Sequence, residues 1–284
     1  LAPLNDSYCE GGEMKSTNVF AALLVVFALA AALAVRGHGQ TQYTIQMVVG
    51  DVKIISGGKT AAAAVDGVLA GGDTIVTGGN SMADVSFGDR GLVRVQESTK
   101  VTVASLKKSV DDPDLDLDGG GILVMLSKLV KGESFQVRTS TQVASIRGTS
   151  FEVTAHGGGS RVDVLSGKIM VNPVADGAVR REIQEYVSEN QSISLDRGAV
   201  REILAGRRKM TVSELKEGDL DKLVERFNKI RESRGYKRLN RGLRGDFESR
   251  INKMRKRRAD RGNVKPLNRR EIRQRVKVRR SPGR

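Results

Sequence analysis

The residues best placed to do chemistry are three aspartates at alternate positions, Asp114-Leu-Asp116-Leu-Asp118-Gly119. Alternate carboxylates followed by glycine form the first half of a calcium loop, whose acids converge on one cation. The twelfth position of that loop is Met125, where a bidentate glutamate is needed, and Gly121 replaces the usual apolar residue. Asp114, Asp116 and Asp118 are thus an incomplete metal candidate, and the plain alternative is an acidic surface loop. Other chemistries lack their parts. His38 and His156 are the only histidines and Cys9 the only cysteine, so no standard zinc site or Cys-His or Ser-His-Asp set can be assembled. No G-x-x-x-x-G-K-[ST] or G-x-G-x-x-G stands at a strand–helix junction. Gly119-Gly120-Gly121 and Gly157-Gly158-Gly159 read as turns, and Asp111-Asp112 implies no apolar pocket that would raise a pKa. A non-enzymatic protein without a cofactor is expected.

Charge supplies a second kind of site. Of the net +15 of this 284-residue chain, residues 197–284 contribute 31 Lys+Arg against 11 Asp+Glu, while residues 1–196 hold 17 against 22. A cationic end on a mildly acidic body seeks anionic partners. Arg255, Lys256, Arg257, Arg258, Arg269 and Arg270 are its candidate anion-binding residues. Phe227, Tyr236 and Phe247 are too sparse for a base-stacking platform, which argues against nucleic acid.

The elements that would carry these residues come in three parts. Met14, read as the initiator after an upstream extension of 1–13, opens a charged stretch before the apolar run Phe20–Val35. With Ala32-Leu33-Ala34 as cleavage site, residues 14–39 have the layout of a signal peptide, or of an anchor if uncleaved. Residues 45–198 alternate with period two, as in Ala83/Val85/Phe87, Val93/Val95, Phe151/Val153, Val162/Val164 and Ile193/Leu195, with glycine-rich turns between. Many short strands with one wet face predict a mainly β protein, an antiparallel β-sandwich or barrel-like domain. Ile122-Leu-Val-Met-Leu126 is apolar throughout and fits a strand buried on both faces, or a short helix. Residues 199–284 read as a basic helical or disordered tail. Helix begins near Thr211, where Thr211-Val-Ser-Glu214 has capping-box form. Leu220, Leu223, Val224, Phe227 and Ile230 then make one apolar face, to pack on the sandwich or on a second copy. Beyond Ser233, the arginine-rich sequence predicts disorder or a helix induced by a partner.

The order of the β motifs resembles a FecR domain over roughly residues 48–198. Gly50-Asp51-Val52 and Leu69-Ala-Gly-Gly-Asp73-Thr-Ile-Val-Thr77 look like its opening half. Phe135-Gln-Val-Arg138-Thr139, then Val143-Ala144-Ser-Ile-Arg147-Gly148-Thr149, Phe151-Glu-Val153 and Val164-Leu-Ser-Gly-Lys-Ile169 are similar to its second half. Ser140 departs from the proline usual after the first threonine. The resemblance implies that Arg138, Thr139, Arg147, Gly148 and Thr149 are structural, with Arg147 held by a carboxylate such as Glu152 or Asp163. The family's iron-transport regulators carry an anti-sigma segment before their membrane helix; only a short segment precedes the apolar run here, so sigma-factor control is not carried over.

These readings combine into an exported, periplasmic or envelope-associated binding and assembly scaffold. Its partners would be an envelope protein or an anionic envelope polymer or membrane surface, reached by the basic tail. The alternative is a membrane-anchored signal transducer that senses a partner through the β domain. A cytosolic nucleic-acid binder would have to keep a 16-residue apolar run in water, which is costly.

Overall fold

The computed structural model describes residues 43–88, 90–104, 114–127, 129, 135–239 and 241–262. The signal-peptide reading of 14–39, the extension 1–13, and Arg269 and Arg270 lie outside the described residues. The strands begin with β1 (Tyr43–Val49), β2 (Val52–Ser56), β3 (Lys59–Ala62), β4 (Val68–Leu69), β5 (Thr74–Thr77) and β6 (Met82–Phe87). Next come β7 (Gly91–Val95), β8 (Lys100–Val103), β9 (Leu115–Leu126), β10 (Phe135–Arg138), β11 (Gln142–Ile146) and β12 (Ser150–His156). They end with β13 (Gly159–Ser166), β14 (Lys168–Ala175), β15 (Ala178–Val179), β16 (Glu185–Ser188), β17 (Gln191–Asp196) and β18 (Val212–Glu214). The helices are α1 (Arg197–Leu204), α2 (Glu217–Glu232), α3 (Arg234–Arg238) and α4 (Arg241–Gly262).

Two layers result. The first sheet runs β4-β1-β6-β7-β9-β12-β13-β17-β18, every pair antiparallel. The second runs β3-β2-β5-β8-β9-β10-β11-β14-β16, antiparallel except for β9 beside β10. Alternation sends one side chain in two inward from each sheet. Ile45, Val85, Phe87, Val124, Phe151 and Val162 meet Ile75, Val101, Leu117, Val137, Ile146 and Val171 in one core. The β-sandwich expectation holds in an open form, and the single parallel pair departs from it.

Strand β9 belongs to both sheets. Leu115–Gly119 pairs with β8, and from Gly120 onward the chain pairs with β7 and β12. The corner is Gly120, at φ +87, where a Cβ would overlap Thr99. The Thr99 hydroxyl also accepts from the Gly121 amide at 2.9 Å. A left-handed backbone pressed against a neighbour leaves room only for glycine. The expected turn at Gly119-Gly120-Gly121 is thus a bend inside one continuous strand.

The largest departure lies at the C-terminal side. Helix starts at Arg197, not near Thr211: Asp196 caps α1 by accepting from the Ala199 amide at 2.7 Å. Val212–Glu214, inside the expected capping box, is instead strand β18 on β17, and α2 starts at Glu217 without a side-chain cap. Sheet pairing has overridden the local capping signal. Leu220, Leu223, Phe227 and Ile230 pack on the outer face of the first sheet, the sandwich alternative of the two weighed above. Tyr236, Leu239 and Phe247, in the stretch expected to be disordered or helical only on a partner, are buried in the same cluster. Arginine-rich sequence conceals them because three apolar residues at wide spacing suffice when a sheet supplies the other half of the contact. Helices α2, α3 and α4 form a third layer, while Val200 and Ile203 of α1 pack into the sandwich core.

Candidate functional site

Where the third layer meets the first sheet, one rung of the outer face is polar. Its residues face one another strand by strand: Asp84 and Arg94, then Leu123, Glu152, Asp163, Ser192 and Ser213. Strands β7, β9 and β13 carry apolar residues on this face, but the rung carries the charges that receive the helices.

Asp84 is fully buried and Arg94 nearly so. The guanidinium donates through Nε to Oδ1 at 2.6 Å and through Nη2 to Oδ2 at 2.8 Å. Ser233, at the start of α3, donates its hydroxyl to Asp84 Oδ2 at 2.8 Å and caps α3 by accepting from the Tyr236 amide at 3.1 Å. The helix comes so close that a Cβ on Gly235 would stand 2.7 Å from Asp84 Cβ. Glycine at 235 is therefore what lets α3 sit on the carboxylate.

Glu152 makes the second contact. It accepts from Gln96 Nε2 at 2.8 Å and pairs with Arg226 of α2 at 2.7 Å. Burial raises its carboxyl above the ordinary glutamate value, while Arg226 and Gln96 pull it back. Burial likewise raises Asp163, which the 2.7 Å contact from Arg161 opposes. Around the rung Leu92, Leu123, Met125 and Leu165 of the sheet pack against the helix residues. The helices are also tied to each other: Arg231 of α2 pairs with Glu248 of α4, and the Tyr236 hydroxyl donates to the Arg244 carbonyl at 3.1 Å. Arg250 of α4 donates to the Leu126 carbonyl and lies over the Phe247 ring. The arrangement docks helices; among the described residues no three His, Cys, Asp or Glu side chains are grouped to hold a metal.

The residues singled out from sequence are scattered. Asp114 closes the approach to β9, with its Oδ2 accepting from the Gln136 amide at 2.7 Å, and Asp116 and Asp118 lie in the strand itself. This corrects the acidic-loop reading, and it separates the carboxylates by strand geometry instead of converging them. Asp118 pairs with Lys100 at 2.9 Å and Asp116 faces Arg138 at 4.0 Å. Burial raises the Asp116 carboxyl, against the pull of Arg138. Thr139 is buried and closes the β10–β11 turn: its hydroxyl donates to the Gln142 carbonyl at 3.0 Å and accepts from the Gln142 amide at 3.1 Å. Gly148, at φ +119, and buried Thr149 form the crossing from the second sheet to the first. Arg147 is exposed and forms no ion pair with Glu152 or Asp163, which Arg226 and Arg161 occupy. The expected brace is corrected: it comes from a helix, 74 positions further on than Glu152. Arg255, Lys256, Arg257 and Arg258 fall on α4, and Lys256 is exposed.

Periodicity misses the Asp84–Arg94 pair: Asp84 lies between Ala83 and Val85 and Arg94 between Val93 and Val95, on the face expected to be wet. A signal was present. Residues 84 and 94 lie symmetrically about the Gly88-Asp89 turn, so hairpin register places them opposite one another. Nothing in the sequence announces that a helix buries them.

Comparison with known proteins bears out the resemblance for the β domain. Residues 73–170 match the family model described as FecR protein. The match contains the whole Asp84–Asp163 part of the rung and none of the helices. No curated protein matches this chain. Similar solved structures include two crystal structures of a candidate anti-sigma factor from Parabacteroides distasonis, at 1.65 and 2.50 Å resolution. Each is 17% identical with a TM-score of 0.39; they cover 54% and 53% of this chain and 63% and 62% of theirs. The chain thus spans less than two thirds of the length of these neighbours.

Two outcomes follow from the rung. The folded protein holds the Glu152 proton more tightly than the unfolded chain does. That contribution to stability is complete below the ordinary glutamate range and is lost as pH rises through the raised value. Arg226→Ala removes the cation that limits the rise. It should cost about 1–3 kcal/mol near pH 7 and less near pH 5, below the full cost of breaking a buried pair because Arg226 is 42% exposed. Urea melts at both pH values check this; equal losses would mean that Arg226 acts through packing alone. Arg147→Ala, at an exposed position, should change stability by no more than about 0.5 kcal/mol in the same melts.

Proposed function

We propose that this chain, built around a FecR domain, is a non-enzymatic binding and assembly module of the bacterial envelope, and that its basic C-terminal helix holds it against anionic envelope polymers or membranes. The observation that carries the reading is how α4 is mounted. Its first half is fixed to the sandwich through Phe247 and Arg250 and to α2 through Glu248. Its second half continues to Gly262 through Lys253, Arg255, Lys256, Arg257, Arg258 and Arg261. Four consecutive basic positions exceed one helical turn, so that stretch offers no uncharged face for a core. A folded domain presenting such a helix has little ordering entropy left to lose when it meets a charged surface, and counterion release favours the contact. The apolar leader supports an exported location, where phosphate- and carboxylate-bearing lipids and wall polymers are the abundant anions.

A regulatory class of role is what a FecR match supports. The second reading follows from it: a membrane-anchored transducer that senses a partner through the β domain. Among the described residues no helix is long and apolar enough to cross a membrane; in this reading the apolar leader is the anchor. Mass spectrometry of the mature N-terminus separates the two readings; a start near Val35 or Gln40 excludes the anchor.

The tether is tested by sedimenting the full chain with phosphatidylglycerol–phosphatidylcholine vesicles across a salt series. Binding should weaken steadily with salt, and alanine at Lys253, Arg255, Lys256, Arg257 and Arg258 together should reduce affinity by on the order of a thousandfold, since each basic residue near an anionic surface contributes about 1 kcal/mol. Salt-independent binding, or full binding by the substituted chain, would refute it.

A further inference from the structure

The outer face of the second sheet, on the side turned away from the helical layer, carries a partly enclosed cleft of about 210 Å³. Its floor is the rung Gln136–Ser145–Met170 with Val143 and Asn172 from the next rung. Its wall is the chain after β14. There β15 folds back on β14, the Arg180 amide donates to the Pro173 carbonyl at 2.9 Å, and Asn172 Nδ2 donates to the Ile183 carbonyl at 2.8 Å. These bonds hold Val179, Arg181 and Gln184 over the floor before any ligand arrives. Beside Met170, across to β16, stands Tyr186, one of the few large apolar side chains left exposed. Lys168 Nζ lies 4.2 Å from its ring centroid.

We propose that this cleft binds a single sugar ring of a glycan chain. The volume is below the roughly 300 Å³ at which pockets for larger organic ligands begin, and suits one ring. Gln136, Ser145, Asn172 and Gln184 are neutral groups that both donate and accept, which is what vicinal hydroxyls and acetamido groups require. Met170 and Val143 offer an apolar floor to the C–H face of a ring, and Tyr186 offers an aromatic surface at the rim to the next ring along. Arg181 is suited to a carboxylate or acyl oxygen on the ring.

A peptide fits the cleft less well. β11 pairs with β14 from Gln142 to Ile146, and β14 pairs with β16, so the backbone of the floor is already spent. An extended peptide lying on this floor would find no sheet edge to continue there and would lose the main-chain ladder on which strand addition depends. Recognition here must come from side chains alone. The site lies on the opposite sheet from α4 and does not depend on the proposed tether.

The test titrates the full chain with tri-N-acetylchitotriose and with trigalacturonic acid, following side-chain amide resonances by NMR. Those of Gln136, Asn172 and Gln184 should move with at least one trisaccharide. Gln184→Ala and Tyr186→Ala, at exposed positions, should weaken Kd about tenfold or more while the remaining spectrum reports an intact fold. The alanine-substituted basic helix should bind the sugar as the parent does. Absence of shifts with both sugars, unchanged affinity in both cleft variants, or stronger binding of trialanine at the same resonances would overturn the proposal.

Discussion

The carboxylate of Asp84 is the point through which the three layers are joined. It is fully buried, held by Arg94 on its own sheet and by Ser233 from a helix 149 positions further along the chain. Taking two such charges out of water costs several kcal/mol per ion, and their attraction repays that only with close geometry and further hydrogen bonds. Here each carboxylate oxygen takes one donor of the planar guanidinium fork, and Oδ2 also accepts from Ser233. An apolar pair of similar size could hold the helices as strongly. What the ion pair adds is position: only one placement of α3 brings the Ser233 hydroxyl to Oδ2 with Gly235 against the carboxylate. Glu152 and Arg226 repeat the device two strands away, so α2 and α3 are fixed in register as well as in contact.

Apolar burial supplies the remaining adhesion. Strand β9 is the element that makes it possible, because its second half is apolar on both sides. Ile122, Val124 and Leu126 enter the sandwich core, while Leu123 and Met125 enter the cluster beneath the helices. The bend at Gly120 sends the first half of the strand into the other sheet, where only one face is covered and the aspartates can reach water or a cation. One strand thus links both sheets and both cores.

Much of this could be read from residue order. The apolar run Ile122–Leu126 indicated burial on two sides, and the spacing of Leu220, Leu223, Phe227 and Ile230 indicated a docking face. Those signals are local and periodic. What could not be read depended on distant partners. Thr211-Val-Ser-Glu214 has the composition of a helix start, yet β17 offers hydrogen bonds to its backbone and draws it into the sheet. Asp114, Asp116 and Asp118 have the spacing of a cation loop and equally the spacing of one strand face; Lys100 and Arg138, brought close by folding, decide between them. The partner of Arg147 was sought in Glu152 or Asp163, both near neighbours; sequence gives no means of seeing Arg226 reach Glu152 from a later helix.

The account rests on α2 and α3 being an integral layer on the β-sandwich. Native-state hydrogen exchange measures this most directly. If the layer is integral, the amides of Leu223, Phe227 and Ile230 should open with the same free energy as those of Val153 in β12, and Asp84→Asn should lower protection in the helices and in β6 together. Helix amides that exchange at the rate of an unfolded peptide while β12 remains protected would contradict it.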